Sequence, residues 1–361
     1  MRWTLLCRVV DNLGDVGFAW RLAADLAGRG EAVRLVIDDA RALAWMAPGG
    51  AVGAVGVEVV AWEGAALDAS DVLVETFGCG WPQPISDALL GLPLGAARPV
   101  CVNVEHLSAE SFAARSHGLP SPRFTAAGES LPSWFFYPGF EATTGGLLRE
   151  PSLLQQRRAF GDGSAWLARL GIERLAGERC VSLFCYPDAP VDALLDALAA
   201  APTLLLLTPG AAAERATAAL GAGGRRRALR TVALPPLAQP DFDRLLWSCD
   251  LNLVRGEDSL VRALWAGVPF VWQAYVQKDG AHRAKVEAFL DVLLADAPAR
   301  LATGLRRVFA AWNRLAEPAP PLDLGAVDPA EWAGHCARVR GRLAALPNLT
   351  DALIAFVASR R

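Results

Sequence analysis

Three short stretches of this chain carry residue types that can do chemistry. The first is Asp11-Asn-Leu-Gly-Asp-Val-Gly17, between an apolar run and a helical one. A helix start after a parallel strand offers unpaired N–H groups and the positive end of the helix dipole, so such loops commonly hold anions. Here Asp11 and Asp15 put two carboxylates where a pyrophosphate would sit, and the glycines read only Gly14-x-x-Gly17, not G-x-G-x-x-G. Like charge opposes a phosphate, whereas a pair of carboxylates suits a cation such as a guanidinium. Asp38 ends the next apolar run where a dinucleotide site keeps its ribose-binding acid, so that alternative stands beside the first. Asp15 equally suits a plain helix N-cap; Asp11 falls at the carboxyl end of a strand, where open α/β sheets bind ligands.

The second stretch is Arg255-Gly-Glu-Asp-Ser259, at a strand-to-helix turn. Gly256 permits the turn, Asp258 or Ser259 can cap the helix, and Arg255 with the first helical N–H groups makes a pyrophosphate site. Glu257 has no such capping role. The third is aromatic. Phe184 and Tyr186 are alternate residues at the end of a strand and share one face, and Phe242 follows Gln239-Pro-Asp. Core packing explains most such pairs, but aromatics also stack a pyrimidine base while a glutamine reads its edge. His282, near Lys278 and Arg283, reads as a surface residue, and Arg225-Arg-Arg227 as a solvated turn. The chain has no Ser-His-Asp grouping or P-loop.

The elements that must position these residues follow from periodicity. Trp3–Val10 is a short apolar run, then come the loop, a helical stretch over Phe18–Gly30 and a second apolar run, Ala32–Ile37. That is a βαβ unit, with ligands expected at the carboxyl ends of the strands. Strands are predicted at Val57–Ala61, Val72–Glu75 and Val100–Val104, and the Pro- and Gly-rich Pro120–Arg149 reads as irregular. The pattern restarts with strands at Cys180–Tyr186, Thr203–Thr208, Leu229–Leu234, Leu251–Val254 and Pro269–Trp272. Helices over Val191–Ala201, Asp241–Ser248 and Ser259–Ala266 alternate with them. Long Ala/Leu/Arg-rich helices close the chain, with a Pro-rich linker at Glu317–Leu322.

A chain of 361 residues exceeds the size at which one core usually divides. Its 53% hydrophobic residues and 12 Trp can bury a large core, and a net charge of −3 argues against a general nucleic-acid binder. Nearly all positive charge is arginine; lysine occurs only at 278 and 285. Seven scattered cysteines without C-x-x-C spacing read as reduced, buried thiols, and His335-Cys336 alone cannot hold a metal. The N-terminal apolar run ends at Asp11, too soon for a signal peptide, and no stretch is long enough to span a membrane. A cytoplasmic protein is expected.

Taken in order, the strings CRVVDNLGDVGFAWRLA, VETFGCGWP, HLSAESF, FFYPGF, TGGLLRE, SLFCY and LNLVRGEDSLVRALWAGVPFVWQAY resemble the elongation factor P arginine rhamnosyltransferase family. They extend from residue 7 to about 275. The resemblance implies an inverting, metal-independent transferase of the GT-B fold, α/β throughout, with two Rossmann-like doubly wound domains facing a cleft. It implies an acceptor-binding domain over 1–176, with helix 346–361 packing back on it, and a nucleotide-sugar-binding domain over 177–345. The implied donor is dTDP-β-L-rhamnose, the acceptor an arginine of elongation factor P, and no cofactor. The family's catalytic carboxylates fall on Asp11, Asp15 and Glu257. Donor contacts fall on Asn12, Gly14, Phe184, Tyr186, Gln239, Phe242, Arg255, Asp258 and Ser259. The chain departs from the family at Pro236, where an aromatic is expected, and at Gln273-Ala-Tyr-Val, where relatives tend to have Tyr-Pro. A nicotinamide-dependent oxidoreductase and a non-catalytic translation-factor-binding protein are the alternatives; the acidic first loop disfavours the former and the carboxylate triad the latter.

Overall fold

The computed structural model describes residues 1–11, 13–47, 56–67, 70–93, 95–124, 128, 130–221, 223–277 and 280–361. The chain forms two compact units, Met1–Glu150 with Leu346–Arg361, and Pro151–Ala345.

In the first unit the strands are β1 (Arg2–Cys7), β2 (Ala32–Ile37), β3 (Val57–Ala61), β4 (Val72–Thr76) and β5 (Val100–Val104). The short β6 (Arg123–Phe124) and β7 (Ser130–Leu131) pair with each other, and β8 (Ser133–Phe136) follows. The helices are α1 (Leu13–Gly28), α2 (Leu43–Met46), α3 (Gln83–Leu90) and α4 (Ser111–Ser116). One sheet runs β3-β2-β1-β4-β5-β8, parallel at every pairing, with Leu5 registered between Leu35 and Val74. Strands covered on both faces need continuous apolar sequence, and β1 is buried from Trp3 to Cys7. Ser133–Phe136 lies in the stretch expected to be irregular. Its Ser-Trp-Phe-Phe run pairs with Cys101–Val104 as the sixth strand. The first helix begins at Leu13, not near Phe18, so Asp15 belongs to its first turn and not to a loop.

The second unit holds α5 (Leu153–Ala159), α6 (Ser164–Arg169), β9 (Arg179–Leu183), α7 (Val191–Leu198), β10 (Thr203–Leu207) and α8 (Ala211–Leu220). Next come β11 (Arg225–Arg226), β12 (Leu229–Ala233), α9 (Gln239–Ser248), β13 (Leu251–Arg255), α10 (Gly256–Ala266) and β14 (Phe270–Gln273). Helices α11 (Ala281–Leu293), α12 (Ala299–Trp312) and α13 (Pro329–Ala344) complete it. The sheet order is β11-β12-β10-β9-β13-β14, parallel except at β11. The arginine run is therefore a hairpin edge and not a plain solvated turn: Arg225 and Arg226 pair with Arg230 and Leu229, and Arg227 turns the chain at φ 52°.

The units divide after Glu150, not after residue 176. The reason is packing: Trp166, Leu167 and Ile172 bury themselves with Cys180, Leu204, Leu206 and Leu245. Finally α14 (Leu349–Ala358) returns to the first unit, where Leu349, Leu353 and Val357 join the core of Trp3, Leu5, Leu22 and Leu35. Asn348 caps it by accepting the Thr350 N–H at 2.9 Å while donating to the Arg149 carbonyl. Gly146 makes the return possible: at φ 72° a Cβ there would meet the Pro347 carbonyl oxygen at 2.1 Å. Among the described residues no helix is long and apolar enough to cross a membrane.

Candidate functional site

In each unit the strand order reverses at one place, between β1 and β4 and between β9 and β13. Open α/β sheets bind ligands at that switch point, beyond the carboxyl ends of the strands. The residues singled out from sequence divide between the two: Asp11, Gly14 and Asp15 belong to the first, the remaining described ones to the second. Asn12 lies outside the described residues.

In the first unit, Asp15 is buried in the opening turn of α1. Its Oδ2 accepts the backbone N–H groups of Val10 at 2.8 Å and Asp11 at 2.7 Å. The side chain reaches back past the start of α1 and fixes the chain between β1 and α1. Both bonds use Oδ2; among the described residues nothing bonds Oδ1. Asp15 thus pins the chain ahead of α1 through Oδ2. Gly14 lies close under the Asp11 side chain: a Cβ at 14 would stand 2.7 Å from Asp11 Oδ2. The Asp15 charge, after burial itself, pushes the Cys7 thiol up, which places that charge against the end of β1.

The carboxyl ends of β4 and β5 add residues that the sequence reading did not single out. Phe77 has φ 57°, a conformation a bulky side chain adopts only where its surroundings compel it. Its ring stacks on His106 at 4.5 Å and 8° and lies 5.0 Å from Phe18. Beside it, Asn103 accepts the Gly78 N–H at 3.1 Å and donates to Glu105 Oε1 at 2.7 Å. Burial raises the Glu105 carboxyl above its ordinary value, opposed by the neighbouring His106. The sheet end thus gathers an aromatic cluster beside the Glu105 carboxylate. The available signal was positional: Phe77 and Glu105 each follow directly on a buried strand.

In the second unit, Arg255 ends β13 and its buried guanidinium lies over the rings of Phe184 at 4.6 Å and Tyr186 at 4.5 Å. Phe242 meets Phe184 edge-on at 5.8 Å. Gly256, at φ 68°, turns the chain into α10, and its carbonyl accepts Trp272 Nε1–H at 2.9 Å. Ser259 does the capping: its hydroxyl accepts the Arg255 N–H at 3.1 Å and donates to the Arg255 carbonyl. Its Oγ is therefore engaged with backbone. Glu257 and Asp258 occupy the first turn, and Glu257 Oε1 accepts from Lys285 Nζ at 2.5 Å. Gln239 opens α9 and is buried. That helix is tied to α10 by a buried fork, Arg262 donating to both oxygens of Asp243 at 2.7 and 2.6 Å. Tyr186 is held through its N–H, which donates to Gln273 Oε1 at 2.8 Å. The exposed Tyr275 ring, also not singled out from sequence, meets Tyr186 edge-on at 5.4 Å.

This end of the sheet can do two things: meet a polyanion with Arg255 and the N–H groups opening α10, and pack a flat ring against its aromatics. His282, expected on the surface, is buried and accepts the Gln277 N–H at Nδ1, so it serves the fold. Among the described residues no group of His, Cys, Asp and Glu is arranged to hold a metal.

A model of the EarP family, elongation factor P (EF-P) rhamnosyltransferase, matches residues 3–358. The chain is 44% identical to the protein-arginine rhamnosyltransferase of Pseudomonas aeruginosa, with 86% of each chain covered. It is 41% identical to that of Pseudomonas putida, with 98% of each covered. Among solved structures, one describing EarP-mediated arginine glycosylation of translation elongation factor EF-P is similar at TM-score 0.70 and 32% identity over 99% of both chains. The glycosyltransferase SnogD of Streptomyces nogalater is similar in fold, at TM-score 0.55 and 17% identity over the full length of both. The fold is that of GT-B glycosyltransferases.

Proposed function

The chain belongs to the EarP family of elongation factor P rhamnosyltransferases, and from that premise we propose that it moves L-rhamnose from dTDP-β-L-rhamnose to an arginine side chain of elongation factor P, with inversion and without a metal. The chemistry explains why carboxylates are needed. A guanidinium is delocalised, stays protonated up to a pKa above about 12 and attacks poorly. A carboxylate that holds it, polarises one N–H and takes the proton makes the nitrogen competent as the C–N bond forms.

Asp15 is assigned as that base, acting through Oδ1. Its Oδ2 is committed to two backbone N–H groups, so the carboxylate is fixed, and among the described residues no bond engages Oδ1. That division of labour is the observation that carries the reading. Asp11 orients the guanidinium, and Glu257 balances positive charge growing on the sugar ring. On the donor side Arg255 and the opening N–H groups of α10 receive the diphosphate as the C–O bond breaks and its electron pair leaves with the phosphate oxygen. Phe184, Tyr186 and Phe242 form the base-stacking group with Gln239 at its edge, and Asp258 contacts the donor. Attack opposite the leaving group inverts the anomeric carbon.

Incubating elongation factor P with the protein and the rhamnose donor, followed by peptide mass spectrometry, tests the reading. One deoxyhexose on a single arginine is expected. No adduct, or an adduct on another residue type, would end it.

A further inference from the structure

We propose that Glu105 is a specificity-determining residue for the protein acceptor: it takes a second basic side chain of elongation factor P, one that stands beside the arginine being modified. This role rests on the reading that the chain modifies elongation factor P and that Asp11 and Asp15 hold the arginine. Glu105 follows directly on β5, at the carboxyl end of the first unit's sheet. Strand order there runs β1-β4-β5, so two strand spacings, about 10 Å, separate the end of β5 from the end of β1. The Asp15 charge stands against the end of β1. One guanidinium is too small to bridge that gap, so Glu105 answers to a different charge.

Two observations point to a cation brought by the acceptor. The first is pairing. Among the described residues the buried carboxylates Asp25, Glu75, Glu178 and Asp243 are matched by Arg29, Arg123, Arg230 and Arg262, and Asp15 is the one assigned to the reaction. Glu105 is half-buried, and no lysine or arginine side chain among them bonds it. Burial raises its carboxyl, and the like charge of Glu75 adds to that, against His106. A carboxylate withdrawn from water in this way gains when an opposite charge arrives. The second observation is the surface beside it. Asn103 donates to Glu105 Oε1 at 2.7 Å and accepts the Gly78 N–H, so the carboxylate is held ready by the loop that carries Phe77. Tyr137 stands near enough that the Glu105 charge, after burial, raises its phenol. Its ring meets the exposed Phe112 edge-on at 5.7 Å. Such rings pack the alkyl stem of a lysine or arginine while a carboxylate takes its head.

The test is steady-state transfer to elongation factor P by Glu105→Gln and Glu105→Lys, with thermal melts and thymidine diphosphate affinity measured alongside. Glutamine keeps an oxygen for Asn103 and removes only the charge. Glu105→Gln should raise the KM for elongation factor P about tenfold, while kcat and thymidine diphosphate affinity stay within about twofold. Lysines and arginines of elongation factor P flanking the modified one are then replaced by glutamate, one at a time. One such acceptor should be poor for the wild-type enzyme and regain about tenfold in kcat/KM with Glu105→Lys. That rescue cannot come from a damaged fold, so it decides the matter if Glu105→Gln melts early. An unchanged KM in a well-folded Glu105→Gln, a fall in kcat in place of the rise in KM, or the absence of any rescuing charge swap would each overturn the proposal. No arginine adduct with the wild-type enzyme would instead remove the function on which it rests.

Discussion

In each unit a parallel strand beside the point where strand order reverses runs on into a helix, β1 into α1 and β13 into α10, yet opposite charge is delivered there. At the end of β1 stand Asp11 and Asp15, the latter locked by two backbone N–H groups. At the end of β13 stands Arg255, laid over two aromatic rings. Backbone architecture alone makes both helix starts anion sites. The first unit sets carboxylates beside its helix start, Asp15 gathering the N–H groups of Val10 and Asp11 ahead of α1; the second reinforces the tendency with a guanidinium. Topology therefore fixes where a ligand binds, and a few side chains decide its sign.

Separating the two ends by mutation gives the largest effect. Asp15→Asn keeps one carbonyl oxygen for the Val10 and Asp11 N–H groups and replaces Oδ1 with an amide nitrogen. The variant should fold and bind thymidine diphosphate normally but lose transfer by roughly a hundredfold or more. Single-turnover rates with matched thermal melts decide it; a fully active variant would reduce Asp15 to a cap. Next in size is Leu353→Ala, which empties a fully buried position of the first unit. A loss of about 3 kcal/mol by denaturant titration is expected. Thymidine diphosphate affinity should hold under native conditions, because the second unit does not use that residue; a parallel loss would show that donor binding depends on the first core. Arg255→Ala should weaken thymidine diphosphate by roughly thirtyfold, about 2 kcal/mol. Equal calorimetric affinity in variant and wild type would move the diphosphate elsewhere.

The smallest effect concerns pH and the first unit alone. Burial holds His117 below its ordinary value of 6.5, and its Nδ1 accepts the Tyr137 N–H at 3.1 Å. Because the folded value is depressed, protonation favours the unfolded chain. The contribution of neutral His117 is present above pH 6.5 and is lost as pH falls through the lower folded value. Thermal scans between pH 7.5 and 5.5 should show a modest fall in Tm that His117→Asn, keeping an acceptor without the titration, reduces. An identical pH dependence in the variant would clear His117 of the effect.

Much of this was legible in the sequence because buried parallel strands are written as unbroken apolar runs, and ligands lie where those runs stop. Arg255 could be placed at a strand end on that ground alone, whereas the runs toward Asp11 and Tyr186 overshoot, β1 stopping at Cys7 and β9 at Leu183. The start of α1 was not legible: Asp15 reads as a loop residue until its side chain is seen reaching back to Val10 and Asp11. Nor was the unit boundary, since Trp166 and Leu167 are apolar whichever core they join. The pairing of Glu257 with Lys285 spans 28 residues and two helices, and no short-range pattern encodes it. Phe77 was passed over because a left-handed backbone is signalled by glycine or asparagine, and phenylalanine gives no such warning.

The returning helix has a consequence for how the chain becomes a protein on the ribosome. Residues 151–345 are an insertion within the first unit, whose core is closed only by Leu349, Leu353 and Val357. Synthesis therefore delivers the inserted unit whole before the enclosing one can finish. Through most of translation the nascent first unit must carry an uncovered apolar strip over α1 and its sheet, the kind of surface that chaperones shield and that aggregates when unshielded. A nonsense mutation between Ala345 and α14 would make that transient state permanent. Such products should be recognised by quality control through the unit they fail to close, even though the inserted unit had already been made in full.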